Sequence, residues 1–360
     1  MASKTSIFLT GATGYIGGAV LARLLNHPSV STFAITALVR NPEKAKILES
    51  QFGVKAVVGN HHESDKVESL AEGAHVVLNL AEADNVPFMK AILRGLRKRH
   101  DKLGDLPILI HTSGAGELAD DARGEYVSDV IYDDLNVEQY KSIPETAVHR
   151  NVDLLVINAD VEGYARTYIV PPTTVYDIVQ HPLVEAGVSN PRSIQIPTMI
   201  EAALARKQAG VVGKGKAVSS DVHIDDVADL YIVLYDAIVA NPEKVGHGWE
   251  GIYFGENGEH SWYQISKAIG EAMVALGIST DPEPTSFTTE EMVKYFGSEQ
   301  WGWYCGANTR CRGNRARALG WKPKYTTEVM LKSIRREVEE ISKKPPRQPP
   351  FWPGIPPENR

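Results

Sequence analysis

Short apolar runs alternate with amphipathic stretches through the first third of the chain. Residues 6–10, 33–39, 54–58, 75–80 and 108–112 are compact and apolar, as buried strands are. Residues 15–25, 42–49, 65–71 and 87–98 between them read as helices. This strand–helix alternation predicts a parallel sheet with helices on both faces. The near-continuous apolar character of the strands agrees, because such strands are covered on both sides. The pattern then loosens. Residues 114–144 are polar, acidic and mostly loop-like, and residues 151–161 fit helix or strand equally well. Residues 165–170 read as a strand before Pro171 and Pro172. Helices are expected at 198–207, 226–239, 261–276 and 327–342, with strands at 218–224 and 252–254. No internal repeat is visible. The tail, residues 343–360, holds seven prolines and is expected to be an extended arm or disordered.

Composition narrows the function classes. The chain has 360 residues, 43% hydrophobic and 23% charged, which suits a folded protein of two domains or one large domain with insertions. A net charge of −7 provides no basic field for nucleic acid or an anionic membrane. Cys305 and Cys311 are too few for a disulfide scaffold and lack metal-site spacing, so a reducing, cytoplasmic setting is expected. No segment has the ~18 apolar residues of a membrane span. The apolar run Ile7, Phe8, Leu9 breaks at once into glycines, so it reads as a buried strand and not a leader.

Those glycines carry the clearest chemistry. Thr10-Gly11-Ala12-Thr13-Gly14-Tyr15-Ile16-Gly17 falls between the first strand and the first helix. Gly11 suits a tight turn, Gly14 a close approach of backbone to a pyrophosphate, and Gly17 close helix–strand packing. The helix N-terminus behind them offers free N–H groups and a positive dipole end to an anion. A dinucleotide is therefore expected, with Thr13, Tyr15 and Ile16 among its contacts. The second strand ends in Leu38-Val39-Arg40-Asn41, with no acid to take a ribose 2′-hydroxyl. Arg40 suits a 2′-phosphate instead, so NADP(H) is expected over NAD(H). After the third strand, Asn60 or His61 is a candidate adenine contact.

Taken together the chain resembles the extended short-chain dehydrogenase/reductase family of epimerases, dehydratases and dihydroflavonol-type reductases. Thr10 to Gly17 looks like its TGxxGxxG loop, and Asn79-Leu80-Ala81 stands where that family has a fourth-strand cofactor contact. Thr112-Ser113-Gly114 resembles the strand end bearing its catalytic Ser or Thr. Pro172 to Tyr176 is similar to its PxxVY segment near the nicotinamide. Val222 to Ala228 resembles VHVDDVA, and Leu319 to Pro323 resembles LGWxP. The resemblance implies a Rossmann-type doubly wound parallel sheet with a smaller, discontinuous C-terminal substrate lobe. The expected division is 1–177 and 218–257 for the dinucleotide lobe, 178–217 and 258–342 for the substrate lobe, and 343–360 for the arm. It also implies cofactor contacts at Leu80, Ala81, Thr112 and Pro172, and a catalytic role for Ser113.

The resemblance fails at the family's Tyr-x-x-x-Lys pair. That spacing puts both side chains on one helix face, where the ammonium lowers the phenol pKa for proton transfer. Only Tyr263 and Lys267 have it here, far downstream, and they read as a chance match. Around residues 140–150 the chain offers Tyr140, His149 and Arg150, with Pro144 at the Lys position for Tyr140. His149 and Asp153 keep the spacing with different chemistry. Tyr126 is followed by Val130. The catalytic candidates are thus Ser113 with Tyr126 or Tyr140, or His149 as acid/base. The leading expectation is an NADP(H)-dependent oxidoreductase for a small or aromatic carbonyl/alcohol substrate. The alternatives are an epimerase, dehydratase or other isomerase, and a dinucleotide-sensing protein without turnover. A homodimer is possible on this reading.

Three weaker groupings complete the picture. His61-His62-Glu63 and His223-x-Asp225-Asp226 lack a third ligand at metal spacing, so no metal is expected. Arg310, Arg312, Arg315 and Arg317 form a basic cluster, read as a solvated face or an anion contact. Trp301, Trp303 and Tyr304 read as an aromatic substrate wall or as ordinary packing.

Overall fold

The computed structural model describes residues 4–351. The first strand, β1 (Thr5–Thr10), runs through the glycine turn into α1 (Tyr15–Leu25). The alternation continues as β2 (Phe33–Val39), α2 (Pro42–Phe52), β3 (Lys55–Val58), α3 (Ser64–Glu72), β4 (Val76–Asn79), α4 (Val86–Leu103) and β5 (Ile108–Thr112). Local chemistry sets the helix ends. The Asn41 side chain accepts from the N–H groups of Glu43 and Lys44 at the start of α2, and Gly53 ends that helix in the left-handed region. Asn85 and Gly104 do the same for α4.

The polar stretch after β5 is mostly irregular, broken by β6 (Tyr132–Asp133) and α5 (Val137–Lys141). The segment that fitted helix or strand is a helix, α6 (Arg150–Val161). Its buried Val152, Val156 and Ile157 follow helical spacing against the sheet, so tertiary packing resolves what the β-branched residues left open. β7 (Arg166–Val170) completes a six-stranded parallel sheet in the order β3-β2-β1-β4-β5-β7. The order reverses on either side of β1, which opens a crevice at the carboxyl ends of β1 and β4.

The remaining chain runs β8 (Thr174–Tyr176), α7 (Pro182–Glu185), α8 (Gln195–Arg206), β9 (Gly210–Val211), β10 (Val218–His223), α9 (Ile224–Ala240), β11 (Glu259–Ser261), α10 (Trp262–Ala275), β12 (Thr285–Ser286), α11 (Thr289–Phe296), α12 (Glu299–Tyr304), β13 (Cys311–Arg312), α13 (Asn314–Ala318) and α14 (Thr327–Ser342). α8 begins earlier than its periodicity indicates, because Pro197 is tolerated in a first helical turn. The strand expected at 252–254 does not form. That segment follows the edge of β7, and only isolated bridges form, Ile169 to Ile252 and Pro172 to Gly255. Pro171 and Pro172 have no N–H to continue the ladder.

Alternate residues of β1 point to opposite faces, as a strand requires. Ile7 and Leu9 join a core with α1 and α9, while Phe8 joins Phe88, Ile92 and Val152 from α4 and α6. A third core gathers Met199, Trp262, Phe296 and Ile334 from α8, α10, α11 and α14. The proline-rich tail is non-helical to Phe351, which is buried and stacks on Tyr295 at 5.9 Å. Residues 352–360 of the expected arm lie outside the described residues. No described helix is long and apolar enough to cross a membrane.

Candidate active site at the carboxyl ends of the strands

The dinucleotide end is built from backbone. Gly11 has φ +76°, and a Cβ there would sit 2.4 Å from the Leu80 carbonyl oxygen. A Cβ on Gly17 would sit 2.1 Å from the Gly11 carbonyl oxygen. Only glycine permits this packing of turn, helix and β4. Gly14 occupies the N-cap of α1 in extended conformation, with no side chain capping it. The uncapped N–H groups and the glycine cradle fit a pyrophosphate. Ser189 donates to the Ala12 carbonyl and the Asn190 N–H to the Thr13 carbonyl, so residues 189–190 brace the turn from outside.

The side chains expected at this end divide. The Tyr15 hydroxyl turns away, donating to the carbonyls of Tyr176 and Asp177 at 2.9 and 2.6 Å, which leaves its backbone for the anion. Ile16 packs at the edge of the core. Arg40 is exposed at the end of β2, near enough to help hold the Glu82 carboxyl below its ordinary pKa, an effect led by a hydrogen bond from His61. Asn60 is exposed and its side chain accepts from the His62 N–H. Leu80 and Ala81 follow β4 against the glycine turn. Thr112 shares a 2.5 Å hydrogen bond with Tyr231, and buried Pro172 accepts from the Ala115 N–H.

The other end of the crevice is built from side chains. Ser113 follows β5 and its hydroxyl donates to Asp153 Oδ2 at 2.6 Å. Asp153 lies one turn into α6, fully buried. Behind it runs a directed chain of hydrogen bonds. The Leu80 N–H donates to Thr10 Oγ1, Thr10 to Asn79 Oδ1, and Asn79 Nδ2 to His111 Nδ1. His111 Nε2 then carries the hydrogen and faces Asp153 Oδ1 at 3.4 Å. This chain ties the glycine turn to Ser113.

His149 stands at the N-cap of α6 with φ +69°, a region a non-glycine residue adopts only under constraint. Asp84 supplies the constraint. Its Oδ1 accepts from both the His149 N–H at 3.1 Å and Nδ1 at 2.8 Å. Burial opposes the charge on Asp84, yet the hydrogen bonds from His149 win and hold its pKa below the ordinary value. An ionised carboxylate only accepts, so Nδ1 carries the hydrogen and Nε2 is left for chemistry. Nε2 lies against Gly114 and Gly116, 2.8 and 3.3 Å from where their Cβ atoms would be. Tyr304 of α12 arrives from far along the chain, and its hydroxyl is 3.1 Å from the same point above Gly116. It donates to the Gly116 carbonyl at 3.0 Å. Burial, then Asp84 and Glu117, push this phenol upward, so it stays protonated.

The two tyrosines expected to compete with His149 make other contacts. Tyr140 is buried and donates to Glu117 at 2.8 Å, and burial followed by Glu117 pushes its phenol far upward. Tyr126 is exposed at the surface beside Asp120. Tyr263 and Lys267 meet Glu283 at the surface. The basic cluster is largely spent internally: Arg310 and Arg312 pair with Glu259, Arg317 with Glu256, and Arg315 reaches the Asp134 carbonyl. His223 pairs with Asp177 and caps α9. Among the described residues, no three His, Cys, Asp or Glu side chains are grouped to hold a metal. Tyr304 as a neighbour of His149, and Asp84 as its partner, were not foreseeable from local sequence.

A family profile described as NAD(P)H-binding matches residues 11–139. Oxidase ucsJ of an Acremonium species is 30% identical over 333 residues, covering 88% of this chain and 92% of that protein. Among solved structures, UDP-glucose 4-epimerase of Thermotoga maritima, determined with UDP-glucose, superposes with a TM-score of 0.62 at 14% identity, covering 94% of this chain and all of that one. The dTDP-glucose 4,6-dehydratase of Bacillus anthracis, determined with NAD, gives 0.60 at 16% identity, covering 97% and 98%. The chain belongs to the extended short-chain dehydrogenase/reductase family, and its NAD(P)H-binding match begins in the glycine turn after β1.

Proposed function

We propose that the protein is an oxidoreductase that moves a hydride between a nicotinamide dinucleotide and a small or aromatic carbonyl/alcohol substrate, with His149 as the acid/base. One observation carries this reading: the Asp84–His149 pair presents Nε2 over the Ser113–Gly116 turn at the end of β5. When bound, the dinucleotide supplies the redox chemistry. The backbone of Gly11 to Gly17 would hold its phosphates. Ser113 positions the reacting heteroatom, and His149 exchanges its proton at Nε2. Asp84 fixes the tautomer and orientation of the ring, as an acid behind a catalytic histidine does.

Arg40 and the lack of an acid at the end of β2 support NADP(H) over NAD(H). Paired fluorescence titrations with NADPH and NADH test that preference, and tighter NADH binding contradicts it. The sensor reading draws on one specific observation, the lack of a Tyr-x-x-x-Lys pair around residues 140–150. A carbonyl and alcohol panel followed at the reduced-nicotinamide absorbance separates the two. Turnover that His149→Ala removes supports the enzyme. Dinucleotide binding with no turnover across the panel supports the sensor.

A further inference from the structure

Glu82 follows β4, just past the Leu80 carbonyl that closes on Gly11. Its φ of +54° lies in the left-handed region, which a residue with a side chain enters only under constraint. The constraint is a tight turn into α4. The Asn85 N–H donates to the Glu82 carbonyl at 3.4 Å, and Asn85 caps the helix. Glycine would adopt this turn freely, so the carboxyl is held in place against a backbone cost.

That carboxyl reaches across the sheet. Glu82 Oε1 accepts from His61 Nδ1 at 3.3 Å, and His61 belongs to the loop after β3. β3 and β4 are not neighbours, because β2 and β1 lie between them. The two loops therefore meet beyond the carboxyl ends of β2 and β1, on the side of the glycine turn and Arg40. A dinucleotide with its pyrophosphate on that turn would pass its adenosine half through this space. Phe88 at the start of α4 packs on the His61 ring, with centroids 4.6 Å apart. The hydrogen bond from His61, and after it the charge of Arg40, hold the Glu82 carboxyl below its ordinary pKa against the opposition of burial. An ionised carboxylate only accepts, and one bond from His61 leaves it lone pairs to spare. Glu82 and Arg40 thus bring opposite charges to one end of the crevice.

We propose that Glu82 reads the ribose 2′ position in place of the acid that the end of β2 lacks, and that it opposes Arg40 in the choice between NAD(H) and NADP(H). The inference rests on the dinucleotide reading above and adds a residue that sets its specificity. A 2′-hydroxyl can donate to the carboxylate. An ionised 2′-phosphate has no hydrogen to give; it pairs with Arg40 and is repelled by Glu82. Arg40 favours NADP(H), and Glu82 limits that preference. The acid comes from β4 and not from the strand that bears Arg40, so residues 38–41 taken alone overstate the selectivity.

The test is a set of paired fluorescence titrations with NADPH and NADH on the unaltered protein, Glu82→Gln and Glu82→Asp. Glu82→Gln keeps the size and an acceptor oxygen and removes the charge. It should bind NADPH roughly fivefold or more tighter at low salt, while NADH binds no tighter. High salt screens the repulsion, so the gain should shrink there. Glu82→Asp keeps the charge and should stay close to the unaltered ratio. Adenosine 2′-monophosphate, used as a competitor of NADPH, isolates the 2′ group and should show the same gain in Glu82→Gln. A ratio of NADPH to NADH affinity that Glu82→Gln leaves unchanged, or moves toward NADH, overturns the proposal. A gain that salt does not reduce, or that Glu82→Asp reproduces in full, overturns it as well. Binding of neither dinucleotide to the unaltered protein would instead overturn the functional reading beneath it, so the two failures are distinct.

Discussion

The two ends of the crevice are made in different ways. At β1 the dinucleotide end consists of consecutive residues, and its chemistry is that of backbone and glycine. At β5 the proposed reaction end consists of Asp84, Ser113, His149, Asp153 and Tyr304, brought from four separate segments, and its chemistry is that of side chains. A backbone site tolerates little change, because each glycine is fixed by a nearby atom. A side-chain site can be refitted one residue at a time. Here His149 and Asp153 keep the four-residue spacing of the family's pair with different chemistry, an acid standing at the lysine position.

Substitutions that act on one end alone test this division. The largest effect is expected from His149→Ala, which should lower turnover by roughly 10²–10⁴-fold, the usual worth of an acid/base group. Dinucleotide affinity should change less than twofold in the same titration. A parallel loss of both would mean that the ends are not separate.

Arg40→Gln is the opposite case. Loss of a charged hydrogen-bonding partner is worth about 1.5–3 kcal/mol, so NADPH affinity should fall by about 10–100-fold while NADH affinity holds. Gly17→Ala places a Cβ 2.1 Å from the Gly11 carbonyl oxygen. The turn must shift to admit it, at roughly 1–3 kcal/mol, shared between stability and binding of either dinucleotide. Thermal denaturation with and without NADPH apportions that cost.

The remaining effect belongs to neither end. Glu337 of α14 is buried with Oε1 unpaired, and burial raises its pKa to about 7. The folded protein therefore binds a proton that the unfolded chain has released between the ordinary carboxyl range and about pH 7. Stability contributed by this group is lost as pH rises through that window. Glu337→Gln should leave the melting temperature nearly unchanged near pH 4.5 and raise stability by about 1–3 kcal/mol at pH 8. A gain that does not depend on pH would rule out this explanation.

The sequence discloses these two ends unequally, and for physical reasons. The glycine turn is legible because its constraints are local: one strand, three glycines and one helix start within eight residues. The parallel sheet is legible because strands buried on both faces are apolar throughout. Residues 151–161 were ambiguous because Val152, Val156 and Ile157 suit either element until α4 packs against them. The strand expected at 252–254 was lost to two prolines on its neighbour. At the reaction end the spacing of His149 and Asp153 was visible, but its meaning was not. Asp84 is 65 residues from His149, and Tyr304 is 188 residues from Gly116. No periodicity links such positions, so only the folded chain brings Tyr304 to His149 and gives Tyr140 to Glu117 and Tyr126 to Asp120.

The central claim is that His149 holds the place of the family's catalytic phenol. The most direct test is a crystal structure with NADP+ and benzyl alcohol bound. The account predicts His149 Nε2 within hydrogen-bond reach, about 2.6–3.2 Å, of the ligand oxygen beside nicotinamide C4, with Asp84 still on Nδ1. A nicotinamide ring beside Tyr126, or a ligand oxygen out of hydrogen-bond reach of His149 Nε2, would contradict it.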